Sequence, residues 1–530
     1  MTTASPSSVA APLPGGVAPR ATTRPRAPTL TVHDPYPLEV FPPHARVQVV
    51  FEPSTGALTY QVEEPALSEA ESRARDEVDR VLPGILAPFP TGADAAQREE
   101  HLRDTVVDYL RVHYPQLSAE SRERLLYYRV RDAFGLGPVD PILRDPEIED
   151  VSCDGPGLPV FVFHARYESL RTNVRFADEE RLRGFVVHLA QRCGRTISIA
   201  HPLLDGVTVE GHRVQATYGT EVTSRGSGFT LRRFRDHPFT PADLIRSGTA
   251  SAELVAYLWL AVEQGDSLII CGGPGAGKTS TLNALATFIP AAAKIVSIED
   301  TRELSLPHEH WVPSTTRSGS GASPGRARSV GEVDMYDLLT AALRQRPSHI
   351  LVGEVRGAEA VTMFQAMATG HATYATMHAD SVRAMVARLE SPPIRVPRAL
   401  FGSLRQVLIE VQRSTPAGTV RRLAQLIEVG GVDPETGEII TSPVFEWDAS
   451  RDLFHYQGHS LLVERVAARR GCSLADVERD LDRRAALLRG LVAEGITDAG
   501  SVRERIAGFD DPRMLSPPAP GELALPMEVR

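Results

Sequence analysis

Apolar and polar positions change their rhythm along this chain, and each rhythm predicts a different kind of element. Over 46–62, RVQVVFEPSTGALTYQV alternates on both sides of Pro-Ser-Thr-Gly, which predicts a β-hairpin. Helical spacing follows over 68–82, 94–110 and 118–134. Between 151 and 234 the β-rich runs PVFVFHARYESLRTNVRF, HRVQATYGTEV and GFTLRRF surround one helical stretch, 178–191, and predict a small α+β domain. RDHPFTPADL then reads as a linker. From 245 to 411 short apolar strands alternate with helices, the pattern of a parallel sheet with crossover helices. Four strands stand out, SLIIC, KIVSI, HILVG and TYATM, each followed by polar or charged residues. Ligands of open α/β sheets bind at that edge.

LAQLIEVGGVDPETGEIITSPVFEWD reads as a small meander turning at Asp-Pro-Glu-Thr-Gly. The end of the chain is helical: Ser473 and Asp476 are spaced as a capping box, and Leu474, Leu481 and Leu488 form one stripe. Residues 1–33 carry six prolines and no acidic residue, so they are expected to be disordered, and the last residues to fray. The Gly/Ser/Arg stretch 314–328 is expected to be a mobile loop, ordered at most by a neighbouring subunit. The expected divisions are a tail (1–33), a hairpin and helical region (34–145), an α+β domain (146–236), a linker (237–245), an α/β domain (246–456) and C-terminal helices with a tail (457–530).

Composition narrows the function. At 530 residues the chain is long enough for several domains, and 42% apolar with 23% charged residues is the balance of a folded protein. No apolar run is long enough to cross a membrane, and the first residues lack the apolar core of a secretory signal, so a cytoplasmic protein is expected. The four cysteines form no C-x-x-C pair, which excludes a zinc ribbon and a disulfide framework. A net charge of −10 leaves no footprint for nucleic acid. Of the 57 basic residues only Lys278 and Lys294 are lysines, so each of those two asks for a reason.

Lys278 has one. Gly272-Gly273-Pro274-Gly275-Ala276-Gly277-Lys278-Thr279 matches G-x-x-x-x-G-K-[ST] between a predicted strand and a helix predicted to begin near Thr279, and these residues with Ser280 are the expected nucleotide-binding set. Glycines let successive amides turn toward phosphates, and the helix N-terminus adds its positive end. Lys278 reaches the β/γ oxygens of ATP and the Thr279 hydroxyl takes a Mg²⁺ position. With 41 glycines and two lysines, chance placement of this pattern has a probability on the order of one in a thousand.

Behind the other strands come Glu299-Asp300-Thr301-Arg302-Glu303, then Gly353-Glu354-Val355-Arg356, then Gly370-His371 and Thr376-Met377-His378-Ala379. A carboxylate at such a strand end can hold Mg²⁺ or orient the attacking water. Singly these are weak signals, since an exposed Glu-Asp pair is usually a solvated loop and Glu354 could merely pair with Arg356. His371 and His378 match no zinc pattern; contact with the γ-phosphate or a carboxylate suits His378, and a structural role suits His371.

In this order, the Walker A loop, IEDTREL, RQRPSHILVGEVRGAEA and TGHATYATMHADS resemble the secretion ATPases of type II and type IV systems, most nearly the archaeal branch that drives type IV pili and the archaellum. FGLGPVDPILRDPEIEDVSCDGPGLPVFVFHARYESLRTNVRF and RVQATYGTEVTSRGSGFTLRRF agree, and the resemblance spans about 134–456. It implies an α/β fold in which a RecA-like domain and a preceding α+β domain sandwich ATP, and six subunits in a ring on the inner face of the membrane. A polytopic platform protein would be the partner, with pilin-like subunits engaged indirectly. The resemblance carries phosphate and Mg²⁺ contact to Lys278 and Thr279, and the acidic box to Glu299 or Glu303. The Walker B role, metal-linked or general base, goes to Glu354, and phosphate neutralisation within or across the ring to Arg213, Arg232 and Arg344. Two departures are that Pro347-Ser348 stands where Pro-Asp is usual, and that the tetracysteine zinc module of some relatives is missing. The competing expectation is a RecA-like nucleic-acid translocase, which uses the same loop and ring; the net charge argues against it.

Overall fold

A computed structural model describes residues 31–32, 36–53, 56–86, 92, 94–234, 237–317, 331–415 and 418–509. The disorder expected of 1–33, the mobile loop expected at 314–328 and the fraying of the C-terminus lie outside these residues, except that Thr31–Val32 pairs with the strand Ala45–Glu52 and Trp311–Thr315 is itself a strand.

Two large sheets carry the molecule. The first has the strand order 31–32, 45–52, 57–63, 168–175, 159–164, 148–153, 228–232, 213–217 and 203–207, with 38–41 added beside 45–52. The predicted hairpin is Ala45–Glu52 with Ala57–Glu63. It is not a separate unit, because Thr59 and Tyr60 pair in parallel with Arg171 and Thr172 and so fuse the hairpin onto the α+β sheet across the division expected at 145/146. Leu182, Val186 and Leu189 of the helix Glu179–Arg192 cover one face of that sheet. The helices Glu69–Ile85, Ala95–His113 and Ala119–Phe134 close a core of their own, with Ala74, Val78 and Leu82 recurring at the four-residue spacing that keeps side chains on one helix face.

The second sheet runs 311–315, 295–299, 349–352, 372–377, 268–272, 406–415, 418–432, 439–448 and 453–456. Its first six strands are parallel and the rest antiparallel, so the predicted meander extends the parallel sheet. Four of the parallel strands are buried throughout and read as mainly apolar runs without alternation, because helices cover both faces. Leu268 and Ile270 pack with the helices Ala252–Glu263 and Lys278–Ala286, while Ile269 and Cys271 point to the other face, beneath Met335–Leu343 and Glu359–Ala368. The expected α/β class with a RecA-like parallel sheet, a preceding α+β part and C-terminal helices is the architecture observed.

The C-terminal helices lie on the back of this domain. Arg484, 1% exposed, stacks 4.6 Å over Trp259 and pairs with Glu263 at 2.7 Å. The capping box at Ser473 and Asp476 forms as expected. Leu474 does not join the buried stripe: it stands exposed at the first helical position, while Val477, Ala485, Leu488 and Leu491 make the contact. Buried Glu428 fixes the start of the helix Leu461–Arg470, accepting from the amides of Leu461 and Leu462 at 2.6 Å and from the Tyr257 hydroxyl at 2.7 Å. Glu428→Ala leaves the two amides without an acceptor, at a cost of about 3 kcal/mol, while the Tyr257 hydroxyl keeps Ser460 at 3.1 Å. Amide exchange within 461–470 is expected to accelerate sharply in this variant; unchanged protection would contradict the bracing role.

Candidate active site

The chemistry collects at the carboxyl edge of the parallel sheet, under the first sheet. Strand Leu268–Gly272 leads into a turn that ends at Gly277, whose φ of +108° is open to glycine but strained for other residues. A Cβ on Gly272 would stand 2.5 Å from the Glu410 carbonyl, and one on Gly277 2.6 Å from Glu410 Oε1. Gly272 and Gly277 are therefore steric requirements, whereas a side chain on Gly273 would meet nothing within 4 Å. The loop delivers the N-terminus of the helix Lys278–Ala286 to the sheet edge, where helical N–H groups lack partners and favour an anion.

Lys278 is buried and its Nζ donates to the Gly273 carbonyl at 2.8 Å. Burial lowers its pKa, against the opposing pull of the Glu354 and Glu410 carboxyl groups. Strand Ala372–Met377 lies between the loop strand and His349–Val352, and so puts His378 between Lys278 and Glu354. His378 Nδ1 is 3.4 Å from Lys278 Nζ, and Nε2 is 3.4 Å from Glu354 Oε1. Burial, then the Lys278 charge, lowers the pKa of His378, which favours the neutral ring. Arg356 stands 3.5 Å from the same Glu354 oxygen and also pairs with Asp300.

A cavity of about 350 Å³ spans the gap between the sheets. Pro274, Gly275, Gly277, Lys278, Thr279, Ser280, Glu303, Glu354 and His378 line one side, Arg213, Arg232 and Arg233 the other. Arg232 reaches within 3.8 Å of Glu303, and Arg213 within 3.6 Å of Asp205. The Thr279 hydroxyl with the Glu303 and Glu354 carboxylates is a hard oxygen set of the kind Mg²⁺ prefers, and among the described residues no cluster of three His, Cys, Asp or Glu forms a metal site by itself.

Other expected residues are placed elsewhere. Glu299 does not face the cavity. It is buried beside Gly353, its Oε1 accepts the amides of Glu303 at 2.9 Å and Leu304 at 3.0 Å, and Oε2 is buried with no partner among the described residues. It braces the acidic loop from beneath. Arg344 is exposed at the end of the helix Met335–Leu343, before the strand His349–Val352 begins, at the sheet edge opposite Lys278. His371, preceding Ala372–Met377, belongs to that opposite edge as well and bonds locally near Ala366 and Thr369.

Besides Arg233 in the cavity wall, two residues that contact the loop were not anticipated. Glu410, in the strand beside the loop, accepts from the Thr281 hydroxyl at 3.1 Å. Arg421 donates to the Gly275 carbonyl at 2.7 Å and meets Glu149 of the first sheet at 3.3 Å. The one sequence signal for Glu410 is a lone acid inside the apolar run Val407–Val411; Arg421, one of two adjacent arginines, has none.

A glycine loop joining a buried parallel strand to a helix, with lysine, histidine and carboxylate gathered at the sheet edge, defines a P-loop nucleoside-triphosphatase domain. The family described as Type II/IV secretion system protein matches residues 135–408. An uncharacterized protein of Methanocaldococcus jannaschii is 38% identical over 398 residues, covering 74% of this chain and 71% of its own length. Type IV secretion system protein PtlH of Bordetella pertussis is 28% identical over 328 residues, 55% of this chain and 94% of its own. Among solved structures, the VirB11 ATPase from the Brucella suis type IV secretion system gives 24% identity and a TM-score of 0.27, covering 55% of this chain and 91% of that one. The pilus retraction motor PilT with bound ADP gives 21% and 0.37, covering 52% and 77%. This chain belongs to the Type II/IV secretion system protein family, and that membership rests on the sequence matches.

Burial pushes Glu299 up from 4.5 to about 7. The folded chain therefore holds a proton that the unfolded chain gives up from about pH 4.5. The group's contribution to stability is full below that value and is lost as pH rises toward 7, a swing on the order of 3 kcal/mol. Glu299→Gln is expected to raise the unfolding temperature at pH 8.5 and to leave it nearly unchanged at pH 5. Equal shifts at both pH values would show that the carboxyl does not titrate in this way.

Proposed function

We propose that this protein is a cytoplasmic ATPase, active as a ring of six identical chains, that uses ATP hydrolysis to assemble or move a type IV pilus or archaellum-like filament. A polytopic membrane platform protein is the partner it pushes on, and pilin-like subunits are moved through that partner. Family membership supports secretion-type work, and no described helix is long and apolar enough to cross a membrane. The observation that carries the reading is the shared cavity, in which Lys278, Thr279 and Glu354 face arginines supplied by the other sheet.

The chemistry follows from that placement. The triphosphate enters between the sheets, and Lys278 exchanges the Gly273 carbonyl for the β/γ oxygens. Mg²⁺, when bound, neutralises part of the phosphate charge, and Thr279 and Glu354 would hold it directly or through water. Glu354, steadied by His378 and Arg356, orients the attacking water and accepts its proton. Arg213 and Arg232 neutralise charge on the phosphates. Because they ride on the first sheet, the state of the nucleotide sets how closely the two sheets approach, and that closure is the mechanical output. Arg344 could serve a phosphate only across a subunit boundary, since in its own chain it stands at the far edge. A nucleic-acid translocase has no support here, with a net charge of −10.

Lys278→Ala is expected to abolish phosphate release and to weaken ATP binding strongly. Glu354→Gln is expected to keep binding while turnover falls by at least about a hundredfold, the pattern of a group that acts in the transition state. If Glu354→Gln turns over normally, Glu303 becomes the base. For the ring, specific activity is expected to rise with protein concentration, and a nonhydrolysable ATP analogue to favour a six-chain species in light scattering. A monomer with concentration-independent activity would remove the motor reading and leave ATP binding untouched.

A further inference from the structure

Glu410 has no part in the mechanism above, yet the loop is built around it. Its strand lies in parallel register beside the loop strand, Glu410 opposite Gly272. Pairing with the next strand slips between Ile409 and Glu410, an irregularity of the kind that re-aims side chains next to active sites. Glu410 shares the sheet face of Leu408, the one covered by the helix Lys278–Ala286. There Oε1 fills the space that a side chain on Gly277 would need and accepts from the Thr281 hydroxyl. Oε2 is buried with no partner among the described residues. Three elements surround the carboxyl: the helix brings Lys278, the neighbouring antiparallel strand brings Arg421, and the loop strand brings the Cys271 thiol beside Lys278. Glu303 and Glu354 act on Lys278 from the cavity side.

We propose that Glu410 is a positioning residue for the phosphate loop, acting through Gly277, Thr281 and Lys278, and that it carries a proton whenever a nucleoside triphosphate occupies the loop. A buried carboxylate one turn from the phosphates would compete for Lys278 and repel the incoming charge in a medium that screens poorly. A neutral carboxyl does neither, and still fills the space behind Gly277. Burial holds the group near the point of change, up to about 8 in the free chain, against the opposing effects of Thr281, Lys278 and Arg421. Arrival of the triphosphate raises it further, so binding takes up a proton and affinity falls as pH rises above 8.

This inference rests on the nucleotide-binding reading, and one experiment separates the two. Binding of a nonhydrolysable ATP analogue to the full chain is measured by calorimetry between pH 7.5 and 9 in buffers of different ionisation enthalpy, with the ligand's own γ-phosphate ionisation measured separately and subtracted from every protein's profile. Wild-type affinity is expected to fall about eightfold over that range, with about 0.8 of a proton taken up at pH 8.5. Glu410→Gln is expected to show less than a twofold fall and correspondingly less proton uptake; Lys278 is present in both proteins, so the difference belongs to Glu410. Thr281→Val removes the hydroxyl that favours the ionised form and should move the fall to higher pH, which also serves if the glutamine variant folds poorly. Parallel pH profiles in wild type and variants would overturn the role of Glu410 while leaving nucleotide binding intact. No binding by the wild type at pH 7.5 would overturn the underlying reading instead.

Discussion

The site depends on how closely one strand approaches the loop beside it. The backbone of Glu410 comes so near Gly272, and its carboxyl so near Gly277, that neither position has room for a methyl group. The chain is thereby forced through a tight turn at positive φ, and the first amides of the following helix emerge at the sheet edge. Loosening that approach would let the loop relax away from the phosphate-binding geometry even with Lys278 in place. The loop's chemistry is thus a consequence of packing beneath it.

Strand order does the next part of the work. Because Ala372–Met377 is interposed between the loop strand and His349–Val352, Lys278 and Glu354 are held two strands apart, with His378 bridging the gap at 3.4 Å on each side. Two strand spacings are about 10 Å between backbones, and the imidazole between them holds the cation and the carboxylate apart while contacting both. The remaining positive charge comes from a different sheet, and Arg421 links the two by gripping Gly275 on one side and Glu149 on the other. Any shift of the first sheet therefore reaches the loop through a side chain as well as through the nucleotide.

What was legible in the sequence follows from whether its physics is local. The P-loop could be read because glycine requirements and helix starts are set within a few residues, and the strands around it because burial on both faces leaves mainly apolar runs without alternation. The edge strand Trp311–Thr315 escaped notice, since it is only partly covered and carries Pro313. The junction of the hairpin with the first sheet rests on pairing between Thr59 and Arg171, more than a hundred residues apart, which no local pattern announces. Arg344 was placed by its helix leading into the Walker B strand, but a residue ahead of a parallel strand lies at that strand's amino end, away from the carboxyl edge that carries Lys278. Glu410 and Arg421 act on the loop from strands more than a hundred residues downstream, so their roles became visible only with the register in hand.

The scarcity of lysine bears on the same constraint. In a chain that uses arginine almost everywhere else, Lys278 occupies a buried spot between the Gly273 carbonyl and the His378 ring. A guanidinium is planar, broader and always charged and presents its donors in a fixed fork, so it could not trade one oxygen for another by simple rotation. Lys294 offers the contrast: its Nζ bonds the Gln345 carbonyl at 2.7 Å on the opposite sheet edge, and nothing in the structure requires lysine there rather than arginine. The compact ammonium keeps its bond to the Gly273 carbonyl while facing the cavity that Glu354 and His378 also line, and it can turn from one oxygen to another without moving its stem.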